Sequence, residues 1–149
     1  YLYERAKALG CNKIALGHHF NDVIETTLMG MLYGAQMQTM MPRVKSTSHP
    51  GMELIRPMYF IKEDDIIRWC KRNNLEFIRC ACKITEKNHS ENDELGSKRQ
   101  EIKLLIKELK KVYDNIDINI FRSSQNVNLD TLISYRKGES IHHFLDDFK

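Results

Sequence analysis

A short apolar run, Ile14-Ala15-Leu16, passes through Gly17 directly into an amphipathic segment, and few folds accommodate that order. Residues 12–16 read as a core parallel strand, short and apolar. Ile24, Leu28, Met31 and Leu32 then repeat at helical spacing, which predicts a helix over residues 22–33 with Gly34 placed to end it. Strand, tight loop and helix form the repeating unit of an open α/β sheet, where ligands bind outside the carboxyl ends of the strands. Two imidazoles, His18 and His19, stand at the strand exit, and two carboxylates, Asp22 and Glu25, stand at the helix start. A helix N-terminus attracts phosphate, so these polar groups gather where a nucleotide would be handled.

The rest of the chain alternates in the same way. Leu2, Ala6 and Leu9 share a helical face that Gly10 closes. Residues 35–51 read as an irregular connection rich in Met, Ser and Pro, long enough to be functional or mobile. A strand over 53–56 is closed by Pro57. A helix over 62–73 follows, with Ile66, Ile67 and Cys70 on one face and Trp69 partly buried beside them. Residues 76–79 read as a third strand and 86–96 as an acidic loop. Ser97 is a suitable N-cap for a helix over 98–113, reinforced by Gln100. A short run at 116–121, a polar turn at 123–126 and a tail complete the chain. The alternation predicts an α/β fold: a parallel sheet with helices on both faces, a three-layer arrangement. The expected division is 1–128 as the sheet-bearing part and 129–149 as a tail. Because the chain opens at Tyr1, inside a helix, it is expected to be a piece of a longer protein.

At 149 residues and 42% hydrophobic, the chain suffices for one domain with a real core. It holds no stretch of 18 apolar residues, so no membrane helix is expected. The net charge of +3 is modest but uneven. Residues 98–111 carry six basic and two acidic side chains, whereas 86–94 carry four acids against Lys87. A basic helix with Lys98 and Arg99 at its head could track the backbone of a nucleic acid; a solvated surface face is the plainer alternative. The four cysteines lack the spacing of a secreted disulfide framework, which fits a cytoplasmic protein. Cys11 and Cys70 are expected to be buried, inert thiols.

Asp22 and Glu25, three apart, share a helical face. The macrodipole favours their charged forms, and two carboxylates there could hold Mg²⁺ while the metal also meets phosphates. Ordinary N-terminal helix charge would place acids there too. What distinguishes this stretch is the Gly-His-His immediately before them, with Gly17 permitting close backbone approach. Arg56, next to Pro57, could face phosphate or nucleic acid, or serve a structural ion pair.

The block from Gly17-His18-His19 to Thr26 resembles the second conserved block of the PP-loop ATP pyrophosphatases that modify tRNA. It is most similar to the tRNA 2-thiocytidine synthetase group. There the block is likewise preceded by Lys-Ile-Ala-Leu, here Lys13 to Leu16, and followed by an apolar helix ending in Tyr-Gly, here Tyr33-Gly34. Met41-Pro42, Ile55-Arg56-Pro57 with Glu63 and Asp65-Ile66, Phe77-Ile78-Arg79-Cys80, and Ser124-Gln125-Asn126-Val127 resemble later segments of the same group. The likeness covers roughly residues 1–128.

This resemblance implies an adenine-nucleotide hydrolase-like fold. It also implies an enzyme that adenylates a tRNA base carbonyl with ATP and Mg²⁺, after which sulfur displaces AMP. Gly17, His18, His19 and Thr26 would then line the nucleotide pocket, and Asp22 and Glu25 would act on Mg²⁺ or orient the activated base. Arg56, Lys98 and Arg99 would contact tRNA. Such enzymes carry a [4Fe–4S] cluster, for which Cys80 or Cys82 is the candidate ligand, with two ordinary thiols as the alternative. A sulfur donor protein and a homodimer are further possible partners. Two departures matter: Asn21-Asp22 replaces Asp-Asp, and Cys80-Ala81-Cys82 replaces Cys-x-x-Cys. The family's Ser-Gly-Gly-x-Asp-Ser phosphate loop and its first Cys-x-x-Cys do not occur in these 149 residues. The chain by itself is therefore expected to be inactive. The alternatives are a lysidine synthetase-like ligase, which resolves the same adenylate with an amine, and a non-catalytic module that self-associates.

Overall fold

A computed structural model describes residues 1–76 and 94–148, with only the backbone for 94–97. Helix α1 (Leu2–Ala8) leads to strand β1 (Lys13–Ala15), helix α2 (Phe20–Gly34), strand β2 (Arg43–Lys45), strand β3 (Glu53–Ile55) and helix α3 (Glu63–Arg72). Helices α4 (Glu94–Val112) and α5 (Ile116–Ser123) follow, then a hairpin of β4 (Ser134–Lys137) and β5 (Ser140–His143) between two short 3₁₀ turns. The third strand expected at 76–79 falls almost wholly outside the described residues.

The α/β class holds, but the sheet is mixed. Its order is β1-β3-β2, with β1 and β3 parallel and β2 antiparallel to β3. Strand β2 lies inside the connection read as irregular. Three residues, two of them charged, carry no apolar period to detect. The strand is held instead by its ladder and by the Arg43–Glu53 ion pair at 2.6 Å. Among the described residues β1 stands at the edge of the sheet, and of its residues only Ile14 is buried.

The core lies among the helices. Val23 and Ile24 on α2 are almost wholly removed from water, and Phe20, Tyr59, Ile102, Ile106 and Phe121 complete the cluster. The Phe20 and Phe121 rings stack 4.9 Å apart, and Tyr59 meets Phe121 edge-on at 5.5 Å. The run at 116–121 is therefore helical: Asp117 and Phe121, four apart, are both buried. Asp117 accepts hydrogen bonds from Lys62 (2.9 Å) and Lys110 (2.8 Å), which joins α5 to α4 and to the start of α3. Burial alone would raise the Asp117 carboxyl. The two ammonium groups and the Ile118 amide outweigh that and hold it below the ordinary aspartate range.

Other local expectations shift. Helix α4 is already formed at Glu94, ahead of Ser97; one glycine inside a helical run is tolerated. Cys11 is exposed and Cys70 half-buried. Trp69 is 58% exposed and Ile67 is exposed, because nothing among the described residues packs over that face of α3. Helix α2 continues through Gly34, and Ala35 takes the left-handed cap (φ 50°) assigned to Gly34 from sequence. The turn closes when the Gln36 amide donates to the Gly30 carbonyl at 2.9 Å. A Cβ at Gly30 would sit 3.0 Å from the Gln36 carbonyl, so this close approach explains that glycine.

Left-handed backbone costs a non-glycine residue about 1 kcal/mol. The Ala35→Gly substitution should therefore stabilise the chain by up to about 1 kcal/mol, seen as a higher urea midpoint at unchanged slope.

Candidate nucleotide site at the strand ends

The parallel register pairs Ala15 with Ile55, so the residues following β1 and β3 leave the sheet side by side. Leu16 extends the ladder by donating to the Ile55 carbonyl at 2.9 Å. One step further, Arg56 Nε donates to His18 Nδ1 in a long hydrogen bond of 3.4 Å. In the neutral ring an accepting Nδ1 leaves the proton on Nε2. Arg56 also donates to the Met41 carbonyl, which ties the Met-rich connection to the strand end. Among the described residues it meets no carboxylate, so the structural ion pair considered from sequence is not what holds it.

Helix α2 starts at this edge with His19 as its N-cap residue in extended backbone. The His19 amide donates to Asp22 Oδ2 at 2.9 Å, the reach-back half of a capping box. The Phe20 amide is taken by the Ile61 carbonyl at 2.9 Å. The first turn therefore presents a carboxylate outward, which suits a cation accompanying a phosphate better than a bare phosphate. Asn21 turns away: its Oδ1 accepts from the Glu63 amide at 3.0 Å and so caps α3, where Lys62 supplies no side-chain cap. The amide at this position thus has a structural use that sequence did not reveal.

Helix α4 crosses over the carboxylates. Arg99 Nη1 lies 3.1 Å from Asp22 Oδ1 and 3.7 Å from Glu25 Oε2. One turn on, Lys103 binds Glu63 at 2.9 Å. Glu25 is buried, and desolvation raises its carboxyl above the ordinary glutamate value against the opposing pull of Arg99 and Lys103. Lys98 lies over the Tyr33 ring, 5.7 Å from its centroid. The basic helix is thus only in part a solvated face: Arg99, Lys103 and Lys110 all meet acids of neighbouring helices.

Two buried polar atoms, His19 Nδ1 and Thr26 Oγ1, lack hydrogen-bond partners among the described residues. Such groups are costly unless something binds them. His19 Nδ1 lies 3.4 Å from Asp22 Oδ2. The helix-tying hydroxyl is that of Thr27, bonded to the Val23 carbonyl (2.9 Å) and to Thr39 (3.0 Å). Gly17 is exposed, and a Cβ there would make only an ordinary 3.7 Å contact with Met58. No internal packing demands glycine. Among the described residues no group of three or more His, Cys, Asp or Glu could hold a metal ion. Mg²⁺ bound with phosphates takes only one or two carboxylates, a number that Asp22 and Glu25 could supply. Cys80 and Cys82 lie outside the described residues. No described helix is long and apolar enough to cross a membrane.

Parallel strand ends that meet the N-terminus of a carboxylate-bearing helix place the domain in the α/β class. The chain belongs to the PP-loop family: the model of the PP-loop domain matches residues 1–88. It is 32% identical over 126 residues to the tRNA-cytidine(32) 2-sulfurtransferase of Verminephrobacter eiseniae, covering 85% of this chain and 37% of that protein. The enzyme of the same name from Coxiella burnetii is 33% identical over 134 residues, covering 90% and 49%. The chain thus spans half or less of the length of these relatives. The U34-tRNA thiolase NcsA from Methanococcus maripaludis, solved with its [4Fe-4S] cluster, superposes with a TM-score of 0.61 at 22% identity. That match covers 83% of this chain and 39% of the thiolase and confirms the fold.

Because Arg99 opposes the effect of burial on Glu25, Arg99→Gln should raise the Glu25 pKa further. A raised folded-state pKa means that Glu25 costs stability once ionised. Stability should therefore fall as pH rises from the ordinary glutamate value through the raised one, over a wider window in the variant. Carboxyl ¹³C titration reads the shift directly.

Proposed function

We propose that the chain works within an ATP-dependent tRNA sulfurtransferase that thiolates a cytidine, with residues 1–128 as the PP-loop part and 129–149 as an appended hairpin. The observation that carries this reading is the Asp22–Glu25 pair, set on the first turns of α2 beside Gly17-His18-His19 at the carboxyl end of β1. The relatives' names supply the substrate class. They also favour sulfur over an amine, and hence thiolation over lysidine formation.

In this reaction the base carbonyl oxygen attacks the α-phosphorus of ATP, and the α–β phosphoanhydride bond breaks to release pyrophosphate. A sulfur nucleophile then adds to the activated carbon and AMP leaves. Mg²⁺ would neutralise charge building on the pyrophosphate, with Asp22 and Glu25 as its protein ligands. The His19 amide fixes Asp22 Oδ2 and leaves Oδ1 to Arg99. His18, proton on Nε2, can donate to a phosphate or base oxygen. Gly17 leaves its backbone open to the nucleotide. Thr26 Oγ1 and His19 Nδ1 are buried groups that a bound ligand would satisfy. Arg56, Lys98 and Arg99 are the proposed tRNA contacts, Arg56 also shaping the strand end through His18 and the Met41 carbonyl. Cys80 or Cys82 would supply a thiolate to a [4Fe–4S] cluster, which would handle the sulfur. A sulfur donor protein, a homodimer and a cytoplasmic location belong to the same proposal.

The coding sequence upstream of Tyr1 is the first test. A Ser-Gly-Gly-x-Asp-Ser loop followed by Cys-x-x-Cys supports thiolation, whereas the loop without the cysteines points to lysidine-type chemistry. In cells that depend on this gene for 2-thiocytidine, Asp22→Asn should abolish the modified nucleoside in tRNA digests by mass spectrometry. Full modification by that variant would overturn the assignment. Gly17→Ala should change stability by no more than about 0.5 kcal/mol yet weaken ATP binding, because only the ligand needs the space.

A further inference from the structure

We propose that Arg99 is a displaceable counter-ion, which holds the Asp22–Glu25 seat in its cation-free form and yields it to a divalent cation. The inference rests on Asp22 and Glu25 being the metal seat of the proposed reaction, and it adds a residue from α4 that neither the carboxylate motif nor the strand end contains.

Three observations support it. The Glu25 side chain is only 7% exposed and makes no hydrogen bond among the described residues, its nearest cationic atom being Arg99 Nη1 at 3.7 Å. A buried carboxylate held so loosely is under-compensated. The guanidinium reaches both acids through a single nitrogen, 3.1 Å from Asp22 and 3.7 Å from Glu25. It therefore forgoes the two-pronged pairing that makes arginine–carboxylate contacts strong. Finally, the Arg99 side chain is 44% exposed, whereas its helix is anchored by Ile102 and Ile106 in the core. The head can swing into water while α4 stays in place. One charge, shared between two acids and half in solvent, is what a compact doubly charged ion replaces readily. Lys103 does not compete, being bound to Glu63 at 2.9 Å.

Mn²⁺ alone serves as the probe, since it shares the oxygen-ligand preference of Mg²⁺ and its free concentration is read by electron paramagnetic resonance. The chain as given, its Arg99→Gln variant and its Lys107→Gln variant are titrated at low salt, with circular dichroism confirming equal folding. Lys107 is exposed on the same helix and controls for loss of one positive charge. Arg99→Gln should tighten Mn²⁺ binding about tenfold or more, and Lys107→Gln should leave it within about twofold. Adding Asp22→Asn to Arg99→Gln should remove the gain, and Arg99→Lys should stay near the parent. Unchanged or weaker binding by Arg99→Gln overturns the proposal. So does equal tightening by Lys107→Gln, or a gain that survives Asp22→Asn. Should Arg99→Gln tighten Mn²⁺ binding while the gene proves not to make 2-thiocytidine, the counter-ion role stands and the thiolation reading falls. Should thiolation hold with no change in Mn²⁺ affinity, the counter-ion role falls alone.

Discussion

Val23 and Ile24 have almost no contact with water, and the packing of α2 against α4 and α5 that hides them sets the positions of Asp22, Glu25 and Arg99. A helix has one rotational setting about its axis. Once Phe20, Val23, Ile24 and Thr27 face inward, Asp22 is left at the rim and Glu25 beneath α4. Glu25 is therefore buried by the seating of its helix, and Arg99 on the covering element offsets only part of the cost of burying a carboxylate. Arg99, Ile102, Lys103, Ile106 and Lys110 repeat at three- and four-residue spacing along α4. One stripe supplies both the apolar contacts and the cations that the acids beneath require.

The same logic operates at the far end of that stripe. Asp117 is almost fully buried, yet its carboxyl is held charged by Lys62 and Lys110. Its lowered pKa stabilises the fold above the ordinary aspartate range, and that contribution is lost as pH falls through the lowered value. Glu25 has the opposite sign, since burial outweighs its cations. The contrast follows from geometry. Asp117 accepts two hydrogen bonds under 3 Å from ammonium groups, whereas Glu25 has one guanidinium nitrogen at 3.7 Å. One acid is finished as a structural joint; the other is left with capacity for a further partner.

The strand–loop–helix unit at residues 12–34 was legible in sequence because an apolar run and a helical stripe are strong periodic signals. So was the gathering of Gly17, His18, His19, Asp22 and Glu25, which are close in sequence and stay close in space. Strand β2 was not legible, since three residues, two of them charged, carry no period. Nor was the capping of α3 by Asn21, a contact across 42 residues that depends on how two helices meet. The exposure of Trp69 and Cys11 could not be foreseen either. Sequence shows that a side chain is apolar but not whether another element comes to lie over it.

The basic helix shows most clearly where pattern gives way to packing. Six cations in fourteen residues suggest a surface for phosphates, and charge counting alone cannot separate cations that face water from those that face buried acids. Separating them takes the inward stripe of Ile102 and Ile106 as a reference: Arg99, Lys103 and Lys110 follow that stripe and meet carboxylates of neighbouring helices. Arg99 lies at the N-terminal end of the stripe, where one guanidinium nitrogen meets Asp22 at the rim and Glu25 beneath the helix. That position ties the helical core to the charge of the carboxylate pair, because the helix that buries Ile102 and Ile106 also carries the guanidinium that Asp22 and Glu25 share.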